Sequence, residues 1–225
     1  SNSKKLIKNL KEKKPEEISN LMNISDKLAT LNSDRYKSWK GLKEKSNNSK
    51  QAIFVFKGDV YQGLDIDSFG KKDLEYSQNH LRLLSGLYGL LRPLDIIEPY
   101  RLEMGTKLKT NKGKNLYEFW QKEVTKALVS DLESGEIVVN LASNEYAKCI
   151  DFTALENQVI TPVFKEFKNG SYKVLAVYAK YARGLMTKFI LEAGAQSKED
   201  LIAFSASGYV FSPELSQGNQ LVFVR

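Results

Sequence analysis

The sequence predicts an α+β domain in which helices surround a mixed β-sheet. Three observations carry that prediction. Segments near the start and the middle of the chain repeat apolar residues at helical spacing. Short β-branched runs, too brief for helices, lie between them. Asn169-Gly170 sits between two alternating segments, the strongest hairpin signal in the chain. The length of 225 residues fits a single domain over 1–225, and no internal repeat or low-complexity segment divides it.

Residues 3–40 read as two or three helices. Leu6, Ile7 and Leu10 give the first an apolar face. Pro15 opens the second, followed by Glu16 and Glu17. A first turn has no use for the missing proline N–H, and the carboxylates sit against the positive helix end. Ser25 or Asp26 is a suitable cap for the third. Residues 41–51 read as a polar loop, AIFVF (52–56) as a short buried strand, and GDVYQGLDIDSFG (58–70) as loop around apolar pieces. A helix is expected over 73–92, broken near Ser85-Gly86. Another is expected over 115–132, with Leu116, Phe119, Trp120, Val124 and Leu128 on one side. EIVVNLAS (136–143) reads as the clearest buried strand. Strands on either side of Asn169-Gly170 come next, then a helix from about Ala179 to Ala193 closed by Gly194. LIAFS, GYVF and QLVFV finish the chain as short strands.

The formal net charge is +7. Residues 1–50 hold thirteen Lys and Arg against six Asp and Glu, whereas the remaining residues balance at twenty-one of each. The excess therefore belongs to the first fifty residues. It fits solvated helix faces, and it equally fits a basic arm that follows a phosphate backbone. The longest apolar runs are far too short to span a bilayer, and no signal-peptide pattern opens the sequence. The lone Cys149 has no disulfide partner, so a reducing, cytoplasmic setting is the expectation.

Several chemistries are set aside. One Cys and one His cannot build a common zinc site, and no dinucleotide fingerprint, Walker loop or nucleophile elbow occurs. Cys149 reads as a buried filler and His80 as a packed or surface residue. LSGLYGLLRPLDIIEPYRLEMG (84–105) is different, because it gathers glycines and prolines beside isolated charges. Ser85, Gly86, Leu87, Tyr88 and Gly89 have the outline of a turn between two short helices. Such a helix-hairpin-helix unit aims backbone N–H groups at a phosphate, here with Arg92 beside it. The match is loose, since two residues separate the glycines where one is usual, and a tight structural corner is the plainer reading.

Charges also collect at element ends. Lys57 and Asp59 follow AIFVF. Arg101 and Glu103 share one side of an extended segment, which fits a binding site or a simple ion pair. Lys180 and Arg183 stand three apart on a helix. Tyr61, Tyr88, Tyr100, Tyr146, Tyr178 and Tyr181 accompany these charges, a mixture that suits unstacked bases or an ordinary half-buried rim.

ISDKLA (24–29), AIFVFKGDVYQGL (52–64), LRLLSGLYGLLRPLDIIEPYRLEMG (81–105), VVNLASNEY (138–146) and YAKYARGLMTKFI (178–190) together closely resemble the YaaA family of bacterial peroxide-stress-response proteins. The motifs keep their order from about residue 4 to residue 225. The resemblance implies a cytoplasmic protein that limits intracellular iron during hydrogen peroxide stress and so lessens oxidative DNA damage. It also implies a family-specific mixed fold with a positively charged cleft and a helix-hairpin-helix-like element that binds DNA. That element falls on Ser85–Gly89 with Arg92, and Lys27, Arg101, Lys180 and Arg183 lie in matching motifs as cleft residues. Members usually begin with an apolar strand and a segment resembling SPAKT. Neither stands in these 225 residues, so a site using that segment's lysine is expected to be incomplete here.

The leading expectation is a protein that grips double- or single-stranded DNA by its backbone, with no membrane partner and no metal or organic cofactor. The alternative is an enzyme acting on a nucleotide-like or other small anionic molecule in the same cleft. There Asp59 or Glu103 would serve as general base, and Arg101 and Lys180 would hold the anion. Direct iron binding is disfavoured, since no compact Asp/Glu/His cluster has ligand spacing.

Overall fold

A computed structural model describes residues 1–41 and 48–225. The polar loop expected over 41–51 lies largely outside the described residues. Contacts divide the chain into two compact units. The first comprises Ser1–Val55, Leu81–Ser130 and Asn144–Asp151; the second comprises Phe56–His80, Asp131–Ser143 and Phe152–Arg225.

The first unit opens with three helices, Asn2–Lys11, Pro15–Met22 and Asp26–Ser38. Leu6, Ile7 and Leu10 are buried while Lys4, Lys5, Lys8 and Lys11 are exposed, the division that helical spacing predicts. Pro15 holds the first-turn position, and the backbone N–H of Lys14 donates to Glu17 at 2.8 Å. The Ser25 hydroxyl accepts from the N–H of Leu28 as the cap of the third helix. Leu116–Asp131 forms the expected amphipathic helix, with Leu116, Phe119, Trp120, Val124 and Leu128 buried.

AIFVF is not a strand. Lys50–Gln51 pairs with Ile96–Ile97, and the chain then turns into a single helical turn, Ala52–Val55. The amides of Ala52 and Ile53 donate to the carbonyls of Asp95 and Pro93 at 2.8 and 3.0 Å. The turn is thereby fixed by long-range partners that no local preference reveals.

The helix expected over 73–92 is likewise corrected. It ends at His80, and Leu83–Ser85 pairs with Gly89–Leu91 as an antiparallel hairpin, with Leu83 opposite Leu91 and Ser85 opposite Gly89. Gly89 has φ +78, the left-handed residue that a short hairpin loop calls for. The segment is therefore a β-hairpin, and the helix-hairpin-helix expected at Ser85–Gly89 is not formed.

The second unit holds the mixed sheet. Its order is Val138–Val139, Val159–Lys168, Gln220–Val224 and Val210–Phe211, the first three parallel and the last antiparallel, with Ser171–Lys173 pairing back on the long strand. The Asn169-Gly170 turn forms as expected, both residues having positive φ. Pro162 sits within the long strand at no cost to the ladder. Thr161 N donates to Asn219, so the position of Pro162 faces the side where the Val138–Val139 strand has already ended, after Asn140 N bonds Ile160 O.

The Ala176–Ala193 helix packs Ala179, Ala182 and Met186 on Ile160, Phe164, Leu221 and Phe223 of the sheet, and Gly194 closes it at φ +64. Each fully buried phenylalanine contributes about 1.5–3 kcal/mol relative to exposure. GDVYQGLDIDSFG, expected as loop, is the helix Asp59–Leu64 followed by a tight turn at Ile66–Ser68. LIAFS, expected as strand, is no strand: its first two residues close the helix Lys198–Ile202 and Ala203 caps it. Ser197 accepts from Asp200 N, and the Asp200 carboxylate accepts from Ser197 N in return. No helix among the described residues is long and apolar enough to cross a membrane.

Candidate nucleic-acid interface

The sequence-derived residues divide between the two units. In the first, Ser85–Gly89 is closed over by protein: all five residues are buried, Ser85 and Leu87 at 0 % exposure. The N–H of Tyr88 donates to the Ser85 hydroxyl at 2.9 Å, and the Trp120 indole N–H donates to the Gly86 carbonyl at 2.8 Å. A Cβ on Gly86 would lie 2.1 Å from Leu102 O, so this glycine lets main chain meet main chain. In this arrangement the loop does not offer its amides to a phosphate.

Arg92 is exposed beyond the hairpin, and its backbone N–H donates to Asp95 at 2.8 Å. Arg101 is committed to Glu103 at 2.5 Å, with both side chains in solvent. That is the simple ion pair allowed by their spacing. The Arg101 guanidinium thus donates directly to the Glu103 carboxylate. The Arg101 carbonyl accepts from the Tyr36 hydroxyl, whose pKa burial raises. Burial, then the neighbouring Glu145 and Glu103, push Tyr146 up to about 12. Lys27 is exposed near the start of its helix, with no partner among the described residues.

Glu98, unassigned by the sequence, is the structural anchor of this unit. Its buried carboxylate accepts the N–H groups of Lys40 and Gly41, each at 2.9 Å, and Tyr88 bonds its backbone. Cys149 is fully buried, and burial pushes its thiol up to about 12, as a filler requires. His80, in the second unit, is exposed and lies against the Tyr76 ring at 4.0 Å.

In the second unit, Lys180, Arg183 and Thr187 form one row along the Ala176–Ala193 helix, while Tyr178, Tyr181 and Leu185 form another on its far side. Lys180 is exposed and carries no ion pair among the described residues. Arg183 is half-buried, and burial lowers its pKa. The other arginines all have partners: Arg35 bonds Asn32, Arg82 bonds Leu81 O, Arg101 bonds Glu103, Arg225 bonds Glu166, and Arg92 is also engaged. Among the described residues, Arg183 alone of the arginines has none. A cation drawn from water without a counter-charge is costly to keep, and an incoming anion removes that cost.

The far row borders an open cleft of about 290 Å³ lined by Asp59, Gln62, Val177, Tyr178, Tyr181, Ser207 and Arg225. Asp59 is half-buried and has no bonded partner among the described residues. Arg225 stacks over Tyr178 and Tyr209, its guanidinium carbon 5.3 and 4.8 Å from the ring centres. Its Nε donates to Glu166 at 3.1 Å, and the other Glu166 oxygen accepts from Tyr209. Sequence reasoning named Asp59 and the tyrosines but missed Gln62, Ser207 and Arg225. No local pattern ties residue 225 to residue 59, because only the folded sheet and helix bring them to one cleft. Among the described residues no group of three or more His, Cys, Asp or Glu could hold a metal.

The family model described as peroxide stress protein YaaA matches residues 1–215. A UPF0246 protein of Saccharophagus degradans is 51% identical over 99% of this chain and 88% of its own length. One from Acaryochloris marina is 48% identical over 99% of this chain and 88% of its own. One from Shewanella putrefaciens is 50% identical over 99% and 87%.

Proposed function

This chain belongs to the YaaA family of peroxide stress proteins, and we propose that it serves peroxide defence by gripping the phosphate backbone of DNA. The observation that carries this reading is Arg183, a half-buried guanidinium without a counter-ion, in one row with the unpaired Lys180. The exposed lysines of the Asn2–Lys11 helix, within the region that holds the excess positive charge, supply long-range attraction. Backbone contacts carry no base information, so duplexes of unrelated sequence bind alike through this row. Limiting intracellular iron and oxidative DNA damage is the physiological side of the same reading, with iron lowered indirectly rather than at a metal site.

Labelled duplexes of unrelated sequence test it. Affinity is expected at low salt and should fall steeply by moderate salt as counterions are released. No affinity at low salt, or affinity indifferent to salt, overturns the reading.

A further inference from the structure

The open cleft of the second unit contains a set of groups that the backbone reading does not use. Tyr178 and Tyr181 border it, 49% and 39% exposed, so aromatic surface is offered to solvent beside Val177. Asp59 lines the same cleft with an acceptor-only carboxylate that nothing among the described residues neutralises. Opposite in character is Arg225. Its Nε is spent on Glu166, and its Nη1 on Ser207 O and Ser207 Oγ at 3.0 and 3.3 Å. Both N–H groups of Nη2 are left without a partner among the described residues. Gln62 adds an amide that can donate or accept.

The occupant must therefore be flat, to lie on a tyrosine, and must carry neighbouring donors for the carboxylate and acceptors for the guanidinium. A cationic ligand meets Arg225 unfavourably, and a simple anion meets Asp59 unfavourably. Among the common bases only guanine joins two adjacent donors, N1–H and the N2 amine, to acceptors at O6 and N7. Adenine and cytosine offer a carboxylate one donor group, and uracil or thymine flanks its single N–H with carbonyls that repel it. Unstacked bases are read in this manner, by an aromatic face and a hydrogen-bonded edge.

We propose that this cleft is a guanine-binding site. The base stacks on Tyr178 or Tyr181, its N1–H and N2–H groups meet Asp59, and its acceptor side meets Arg225 Nη2. The site extends the nucleic-acid reading where the guanine lies in an unpaired strand, and it stands without that reading where the guanine is a free nucleotide. It is separate from the Lys180–Arg183 row, which runs along the other side of the helix.

The test titrates the protein with guanosine, inosine, adenosine, cytidine and uridine 5′-monophosphates, following amide shifts by NMR. A second arm uses single-stranded oligothymidine carrying one central guanine or none. The guanine nucleotide should bind about tenfold tighter than the inosine nucleotide, which lacks only the N2 amine, with the others weaker still. Asp59→Asn, a substitution of matching shape, should remove that preference, and Tyr178→Ala should weaken guanine nucleotide binding. Salt-dependent duplex binding through Lys180 and Arg183 should persist in both. Guanine preference in the free nucleotide alone assigns the site to a nucleotide; preference in the oligonucleotide too assigns it to a strand. Equal affinity for all five nucleotides, a preference that survives Asp59→Asn, or shifts centred away from Tyr178 and Tyr181 overturns the proposal. Guanine preference in an unaltered protein that binds no duplex at low salt overturns the backbone reading instead.

Discussion

Gly63 and Gly184 meet where two helices of the second unit cross. A Cβ on Gly184 would stand 2.0 Å from Val60 O, and one on Gly63 would stand 2.2 Å from Tyr181 O. No side chain fits there, so the backbones touch. That contact sets the Asp59–Leu64 helix, which carries Asp59 and Gln62, against the helix that carries Tyr178 and Tyr181. Gly184→Ala should therefore destabilise the protein by about 1–3 kcal/mol, the usual scale of overpacking. It should also widen the cleft and weaken guanine nucleotide binding. Urea unfolding and nucleotide titration check the two effects; an unchanged midpoint contradicts the close crossing.

The glycines of the 83–91 hairpin are predicted to matter for stability and not for DNA. A Cβ on Gly89 would press within 2.7 Å of the Trp120 ring at a φ of +78. Gly89→Ala should cost about 1–3 kcal/mol or more. The salt dependence of duplex binding by the remaining folded protein should match that of the unaltered chain. A selective loss of phosphate contacts without loss of stability would instead mean that the loop itself holds DNA.

Cys149 is predicted to be inert to peroxide while the protein is folded. Its thiol is buried at 0 % exposure and its pKa is pushed up to about 12, so almost no thiolate exists near neutral pH. Sulfenic-acid trapping after peroxide treatment should label unfolded protein and spare the native form. Rapid labelling of the native form would make Cys149 a sensor and contradict the burial.

Alkaline pH should destabilise the fold before any protein-wide charge effect is needed. Tyr146 is pushed up to about 12, and Tyr36 is raised further, each mainly by burial. In the unfolded chain such phenols ionise near pH 10. Between about pH 10 and 12 the unfolded state therefore holds fewer protons than the native state, and stability falls as pH rises. The stabilising contribution of the neutral phenols is complete below pH 10. Each contributes a slope of up to about 1.4 kcal/mol per pH unit in that window. Unfolding midpoints from pH 8 to 12 check the sign, and Tyr146→Phe should flatten the curve.

What the sequence disclosed and what it concealed follow from the range of the forces involved. The three N-terminal helices, the 116–131 helix, the Asn169-Gly170 hairpin and the Gly194 stop depend on spacing, caps and turn residues that lie within a few positions of one another. The 83–91 hairpin does not. Gly86 and Gly89 resemble a phosphate loop locally, yet their partners are Leu102 O and Trp120, which belong to distant segments. Gly63 reads as loop for the same reason, since its role becomes visible only beside Gly184. In the proposed backbone-binding row, the placement of Lys180 and Arg183 on one side of a helix was legible from their spacing. Arg225 was not, because its stacking on Tyr178 and Tyr209 joins strand and helix across the fold.

The most direct measurement compares the protein with Arg183→Gln and Lys180→Gln for both stability and duplex affinity across a salt series. Arg183→Gln should leave stability unchanged or slightly higher, because an unpaired and desolvated charge is removed. Each substitution should weaken binding to all sequences alike and reduce the salt slope by about one. Duplex affinity and salt slope unaltered in both variants would contradict the account at its centre.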